Sequence, residues 1–307
     1  MLATSTLVRR SVLVVSLVDS SAVEECWRHN ADAIVLELPD TGRQNARVLL
    51  PAAVEEAGRG GAEVFVRIDP SVAYADLKAA VVPGLGGVVL PDAESARDVA
   101  EVGDMLQERE REVGIRQGAL ELFPLLGTAT GVWNVREVIK ASPRTASVAI
   151  DEVRLSRAMG IVPTDEFDPL GFSRGRVIVE TLAATLLPLG IGHPLGADPR
   201  QVDHQEVLRV AERARNTGFK GALCAWPAWV GACNTAFTPS QEQVAYYREV
   251  RVAFAQGVAR GTAAVPFPGG RMIDVPVDAR AKLVIDWWDR CQRRDAAKAA
   301  ATRASLA

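Results

Sequence analysis

No apolar run in this 307-residue chain approaches the ~20 residues a bilayer-spanning helix needs, so no membrane segment is expected. An excess charge of one sign is also lacking. Thirty-five Lys and Arg against 38 Asp and Glu leave a net charge of −3, which gives no general attraction for nucleic acid or an anionic membrane. Cysteine is scarce and scattered: Cys26, Cys224, Cys233 and Cys291 form no C-x-x-C pair and read as free thiols of a cytoplasmic protein. Arg9-Arg10 precede an apolar run at 12–18. That run leads into Asp19 and a helical pattern without a small-residue cleavage site, so it reads as a first buried strand and not as a leader.

What is present is alternation. Hydrophobic residues make up 48% and charged residues 24%, the balance of a globular protein. Short apolar runs at 12–18, 33–38, 63–68, 87–90, 120–126, 145–150, 191–195 (weakly marked) and 222–225 read as strands. Several are apolar at nearly every position, as strands buried on both faces should be. Helical patterns at 22–29, 43–58, 93–113, 132–141, 174–187 and 201–216 lie between them. Ser20 or Ser21 is placed to cap the first helix, and Gly58, Gly114 and Gly218 to end others. Eight strand–helix units predict a (β/α)₈ TIM barrel, with an open α/β sheet as the alternative on pattern alone. The barrel is assigned to 1–275. Residues 276–307 are assigned to a C-terminal helix and tail, whose Trp287-Trp288 suits self-association and whose last residues, 290–307, are expected to fray.

Some motifs are set aside on context. Gly171-Phe172-Ser173-Arg174-Gly175 fits G-x-S-x-G but lacks the preceding strand of a nucleophile elbow, so Ser173 reads as a helix N-cap. Gly84-Leu85-Gly86-Gly87 precedes a strand instead of following one, unlike a dinucleotide fingerprint. The chain has three histidines. His29 reads as a surface or helix-end residue and His204 as solvated, leaving His193 as the one placed for a barrel mouth.

Specific stretches carry a resemblance. They are Arg10-Ser11-Val12-Leu13, Ala31-Asp32-Ala33, Val66-Arg67-Ile68 and Gly87-Val88-Val89-Leu90-Pro91, then Gly218-Phe219-Lys220-Gly221, Asn234-Thr235-Ala236-Phe237-Thr238-Pro239-Ser240 and Gly270-Arg271-Met272-Ile273-Asp274-Val275-Pro276. In this order they resemble the citrate lyase β-subunit-like branch of the HpcH/HpaI aldolase family. The resemblance implies a TIM barrel, Mg-dependent making or breaking of C–C bonds, acyl-CoA partners, and trimers or larger homo-oligomers. It also implies that Arg67 grips a substrate carboxylate.

The departures fall at strand ends. Gly127 and Arg154 stand where the family places its acidic metal ligands. The family's D-L-E-D is Glu37-Leu38-Pro39-Asp40, its strand-four lysine is Asp92, and its I-H-P is Ala225-Trp226-Pro227. The expectation is therefore a divergent C–C lyase homologue with no cofactor and no metal. It would hold a small carboxylate or keto acid at Arg67 and Arg154, with Gly127 and Thr128 lining the site. Glu37, Asp40, Asp92, Asp151, Glu152, His193 and Trp226 are further pocket candidates. Magnesium enters only if such acids are re-sited. The alternatives are an active acyl-CoA-type lyase or aldolase with a re-sited or absent metal, and a non-catalytic regulatory partner of an active paralogue. A structural reading of Arg154 pairs it with Asp151, Glu152 or Asp92.

Overall fold

Buried, β-branched runs set the frame. The computed structural model describes residues 7–162, 168–190, 202–262, 264–268 and 271–307. Its elements run β1 (Ser11–Ser16), α1 (Ser20–Glu25), β2 (Ala33–Glu37), α2 (Arg43–Arg47), α3 (Leu50–Gly58), β3 (Glu63–Arg67), α4 (Ala73–Ala80), β4 (Leu85–Pro91) and α5 (Ala96–Val113). Then come β5 (Glu121–Leu126), α6 (Ala129–Trp133), α7 (Val135–Lys140), β6 (Ser147–Ile150), α8 (Glu152–Met159), α9 (Gly171–Ala183), β7 (Leu187–Leu189), α10 (His204–Thr217), β8 (Ala222–Cys224) and α11 (Trp229–Ala236). The last elements are α12 (Gln241–Ala259), β9 (Val265–Phe267), β10 (Arg271–Ile273) and α13 (Val275–Leu306).

Strands β1 to β8 form one parallel sheet in the order β7-β6-β5-β4-β3-β2-β1-β8. A parallel bridge from Leu189 to Gly221 brings its two edges together, so the sheet closes as a (β/α)₈ barrel. Closure requires glycine at 221, because a Cβ there would lie 1.7 Å from the Arg9 carbonyl oxygen. Gly221→Ala is expected to cost ~1–3 kcal/mol by forcing backbones apart. A lower urea midpoint at unchanged slope would register that cost.

Several local expectations are corrected. The seventh strand is Leu187–Leu189, and the run at 191–195 lies outside the described residues. Leu187 therefore belongs to a strand and not to the preceding helix. Asp19, not Ser20 or Ser21, caps α1, accepting from the Ala22 N–H at 3.0 Å. Ser173 is buried inside α9, whose N-cap is Leu170.

The N-terminal ends of the strands carry a charged layer. Arg9 is buried and bonds Glu63 at 2.8 Å and Glu121 at 2.6 Å, while its guanidinium lies 4.8 Å from the Phe65 ring centre. Beside it Asp32 accepts from Arg10 at 2.8 Å and from Lys298 at 2.6 Å. The 290–307 tail does not fray: α13 runs to Leu306, Lys298 is buried, and Arg59 donates to the Ser305 carbonyl at 3.0 Å. A buried ammonium needs its carboxylate, and that requirement pins the tail.

The chain divides into two compact units, Met1–Phe237 with Lys298–Ala307, and Thr238–Ala297. Within the second unit, β9 and β10 pair antiparallel, and Val250, Ile273 and Ala281 are its buried centre. The division read at 275/276 falls inside the second unit. Among the described residues no helix is long and apolar enough to cross a membrane.

Candidate functional site

The C-terminal strand ends build the site, as they do in barrels generally. Glu37 ends β2 and Arg67 ends β3, and the pairing register sets them opposite each other. The Arg67 Nη1 donates to Glu37 Oε1 at 2.6 Å. No other side-chain hydrogen bond of Arg67 occurs among the described residues, which leaves guanidinium N–H groups for a ligand.

Three strand ends away from that pair interlock. Asp92 follows β4 with φ of +49°, a left-handed conformation that is unusual outside glycine and strained. Asp151 follows β6 and caps α8, accepting from the Arg154 N–H at 3.0 Å. That cap sets Arg154 in the first turn of α8, where its guanidinium forms an ion pair with Asp92 Oδ2. Because β5 lies between β4 and β6, Gly127 sits under this bridge. A Cβ at 127 would lie 2.8 Å from Asp92 Oδ1 and 2.9 Å from Arg154 Cδ. Of the three acids offered as partners for Arg154, Asp92 is the one it takes. Asp92 Oδ1 is buried with no hydrogen-bond partner among the described residues. Burial raises the Asp92 carboxyl above the usual carboxylate range, against the pull of Arg154 and Arg67.

A cavity of about 670 Å³ opens at the same end of the barrel. Arg67, Glu37, Asp151, Glu152 and Trp226 line it, whereas Gly127, Thr128, Asp92, Arg154 and Asp40 do not. Thr128 caps α6 by accepting from the Gly131 N–H at 3.1 Å, and Asp40 is exposed. Glu152 is buried against Arg174, with Nη2 to Oε2 at 2.6 Å; burial still raises its carboxyl above the usual range. His193 lies outside the described residues. Asp19, Glu25 and Trp229 were not read from the sequence as lining groups; His29 ends a helical turn, as read, and is half-buried and lines the cavity. Barrel closure pairs β1 with β8, and this adjacency was the available signal that Asp19 and Trp229 share a rim.

Residues 10–227 match the HpcH/HpaI aldolase/citrate lyase family. The chain belongs to that family. A citrate lyase subunit beta-like protein of Deinococcus radiodurans is 28% identical over 287 residues, covering 90% of this chain and 96% of its own length. The mitochondrial citramalyl-CoA lyase of Rattus norvegicus is 24% identical over 296 residues, covering 90% and 85%. Among solved structures, CitE of Mycobacterium tuberculosis in complex with magnesium, acetoacetate and coenzyme A superposes with a TM-score of 0.68 at 22% identity, covering 92% of this chain and 99% of that one. This HpcH/HpaI member is thus a homologue of C–C lyases on the same barrel. Among its described residues, no group of three or more His, Cys, Asp or Glu side chains is arranged to hold a metal ion.

Proposed function

We propose that this family member binds a small carboxylate or keto acid through Arg67, and that it does so without magnesium and without its relatives' metal-dependent C–C chemistry. The Arg154–Asp92 pair over Gly127 carries the reading. A divalent magnesium ion needs hard anionic oxygens in near-octahedral array. Around Gly127 the nearby carboxylate is already matched by a guanidinium, glycine adds no donor, and a fixed cation repels a second one. These residues do not fit the ion. Arg67 keeps the planar fork suited to a carboxylate, and it faces a cavity of ligand size.

Calorimetry with oxaloacetate, acetoacetate, malate and citrate tests the reading. Binding of at least one ligand, unchanged by EDTA and weakened ~10- to 100-fold in Arg67→Gln, is the expected result. Silence from all four ligands would remove the idea.

One observation favours a second reading, metal-free lyase activity. Asp92 combines a strained backbone, an unpartnered buried oxygen and a raised carboxyl, the marks of a functional acid. Turnover of a citramalyl or malyl thioester in EDTA, abolished by Asp92→Asn, would establish it. Absence of turnover leaves the binding role. Homo-oligomerisation and a cytoplasmic location belong to the same proposal, and light scattering tests the former. Exposed Met272, Val275 and Leu283 in the second unit supply apolar surface for self-association.

A further inference from the structure

The described residues lining the cavity include more acidic than basic groups. Among the described residues lining it, Arg67 is the single Arg or Lys, and Glu37 already answers its charge. Glu152 is likewise matched by Arg174. Asp19, Glu25 and Asp151 remain: Asp19 and Asp151 accept backbone N–H groups as helix caps, and none of the three forms an ion pair among the described residues. Burial holds the His29 imidazole below its usual value, against the pull of Glu25, so it adds no positive charge at neutral pH.

The chemistry changes along the cavity. Leu13, Val15, Leu125 and Ile150 make an apolar wall inside the barrel. Toward the mouth, exposed Trp226 follows β8 while exposed Asp19 and Glu25 come from the segment after β1, the strand paired with β8; Trp229 is buried behind them. An aromatic face and carboxylates without an ion-pair partner, lining one mouth, attract an organic cation through ring quadrupole and charge together. The phosphates of a coenzyme A thioester would meet the same carboxylates as like charges.

We propose that the cavity takes an elongated ligand with a carboxylate at Arg67, an apolar middle, and a protonated amine at the Asp19–Glu25–Trp226 rim, in preference to a coenzyme A thioester. The proposal rests on the Arg67 reading above and names the ligand class for that site. No covalent step is involved.

Calorimetry on the full chain with 6-aminohexanoate, hexanoate, adipate, hexylamine and acetyl-CoA tests it. The expected result is that 6-aminohexanoate binds roughly fivefold or more tighter than hexanoate, with adipate weaker still and no heat from acetyl-CoA. In an Asp19→Asn/Glu25→Gln double variant the preference should vanish while hexanoate affinity holds. Both are exposed positions, so the fold should survive. If hexanoate or adipate matches 6-aminohexanoate, or acetyl-CoA binds more tightly, the amine end is overturned and the Arg67 reading stands. Should hexylamine bind and no carboxylate do so, the Arg67 reading fails and takes this proposal with it. Silence from every probe overturns both.

Discussion

Asp32→Ala is expected to remove about 3–5 kcal/mol of stability, the usual consequence of leaving buried cations without their counter-ion. Asp32 is fully buried, and three groups converge on it: the Arg10 backbone N–H at 2.8 Å, the Arg10 guanidinium at 2.8 Å and the Lys298 ammonium at 2.6 Å. Removing the carboxylate strands both cations in the barrel floor. Lys298→Met should cost less, because Arg10 still matches Asp32 and methionine keeps most of the buried stem. The two variants differ in a second readout: only loss of the Lys298 contact without loss of Arg10 pairing should release the tail to proteolysis while the barrel stays folded.

The same carboxylate makes a pH prediction. Burial works against ionisation of Asp32, but its bonds to Arg10 and Lys298 outweigh it, so its folded-state value lies below the ordinary carboxylate value. A depressed folded value means that the unfolded chain takes up the proton first. The stabilisation is therefore complete above the unfolded value of ~3.9 and disappears as pH falls through the lower folded value. Acid unfolding curves of the wild type and Asp32→Ala should converge in that window.

The second large effect concerns the strand ends. Gly127→Glu with Arg154→Asp is expected to raise magnesium affinity above that of the parent. The pair removes the guanidinium, adds two carboxylates and frees Asp92 as a third, a donor set that suits a hard dication. At magnesium one hundredfold above its Kd the ion should add ~2.7 kcal/mol to stability. Each single change should be unfavourable alone. Gly127→Glu drives a Cβ to 2.9 Å from Arg154 Cδ, and Arg154→Asp sets like charges together at Asp92. Thermal melts with magnesium and with EDTA read the outcome; identical melts for the double variant would mean that these positions do not face a common centre.

Legibility in the sequence followed physical range. Strands buried on both faces announce themselves as unbroken apolar runs, so the ends of β2, β3, β5 and β6 were placed nearly to the residue. Strand β7 was not. Its three residues, Leu187-Pro188-Leu189, are too few for a pattern and continue the apolar rhythm of α9. The Asp19 cap was passed over for the serines beside it because both residue types suit the position.

In the site, Arg67 and Glu37 were named from the resemblance and both line the cavity, but their pairing across β2 and β3 was not read. The bridge over Gly127 was readable only as a choice among three acids. What selects Asp92 is the spacing across β5 and the left-handed turn at Asp92, and neither leaves a mark in composition. Asp19, Glu25 and Trp229 were missed for the same reason. Asp19 and Trp229 are far apart in sequence and meet through the β1–β8 pairing.

The account turns on whether a fixed guanidinium–carboxylate pair has replaced a metal. Titration of magnesium into the EDTA-stripped wild-type protein, followed by calorimetry and by metal content after dialysis, measures this directly. The prediction is no stoichiometric uptake at millimolar magnesium and an unchanged Arg67-dependent affinity for carboxylate. Retention of one magnesium per chain, lost in Asp92→Asn, would contradict it.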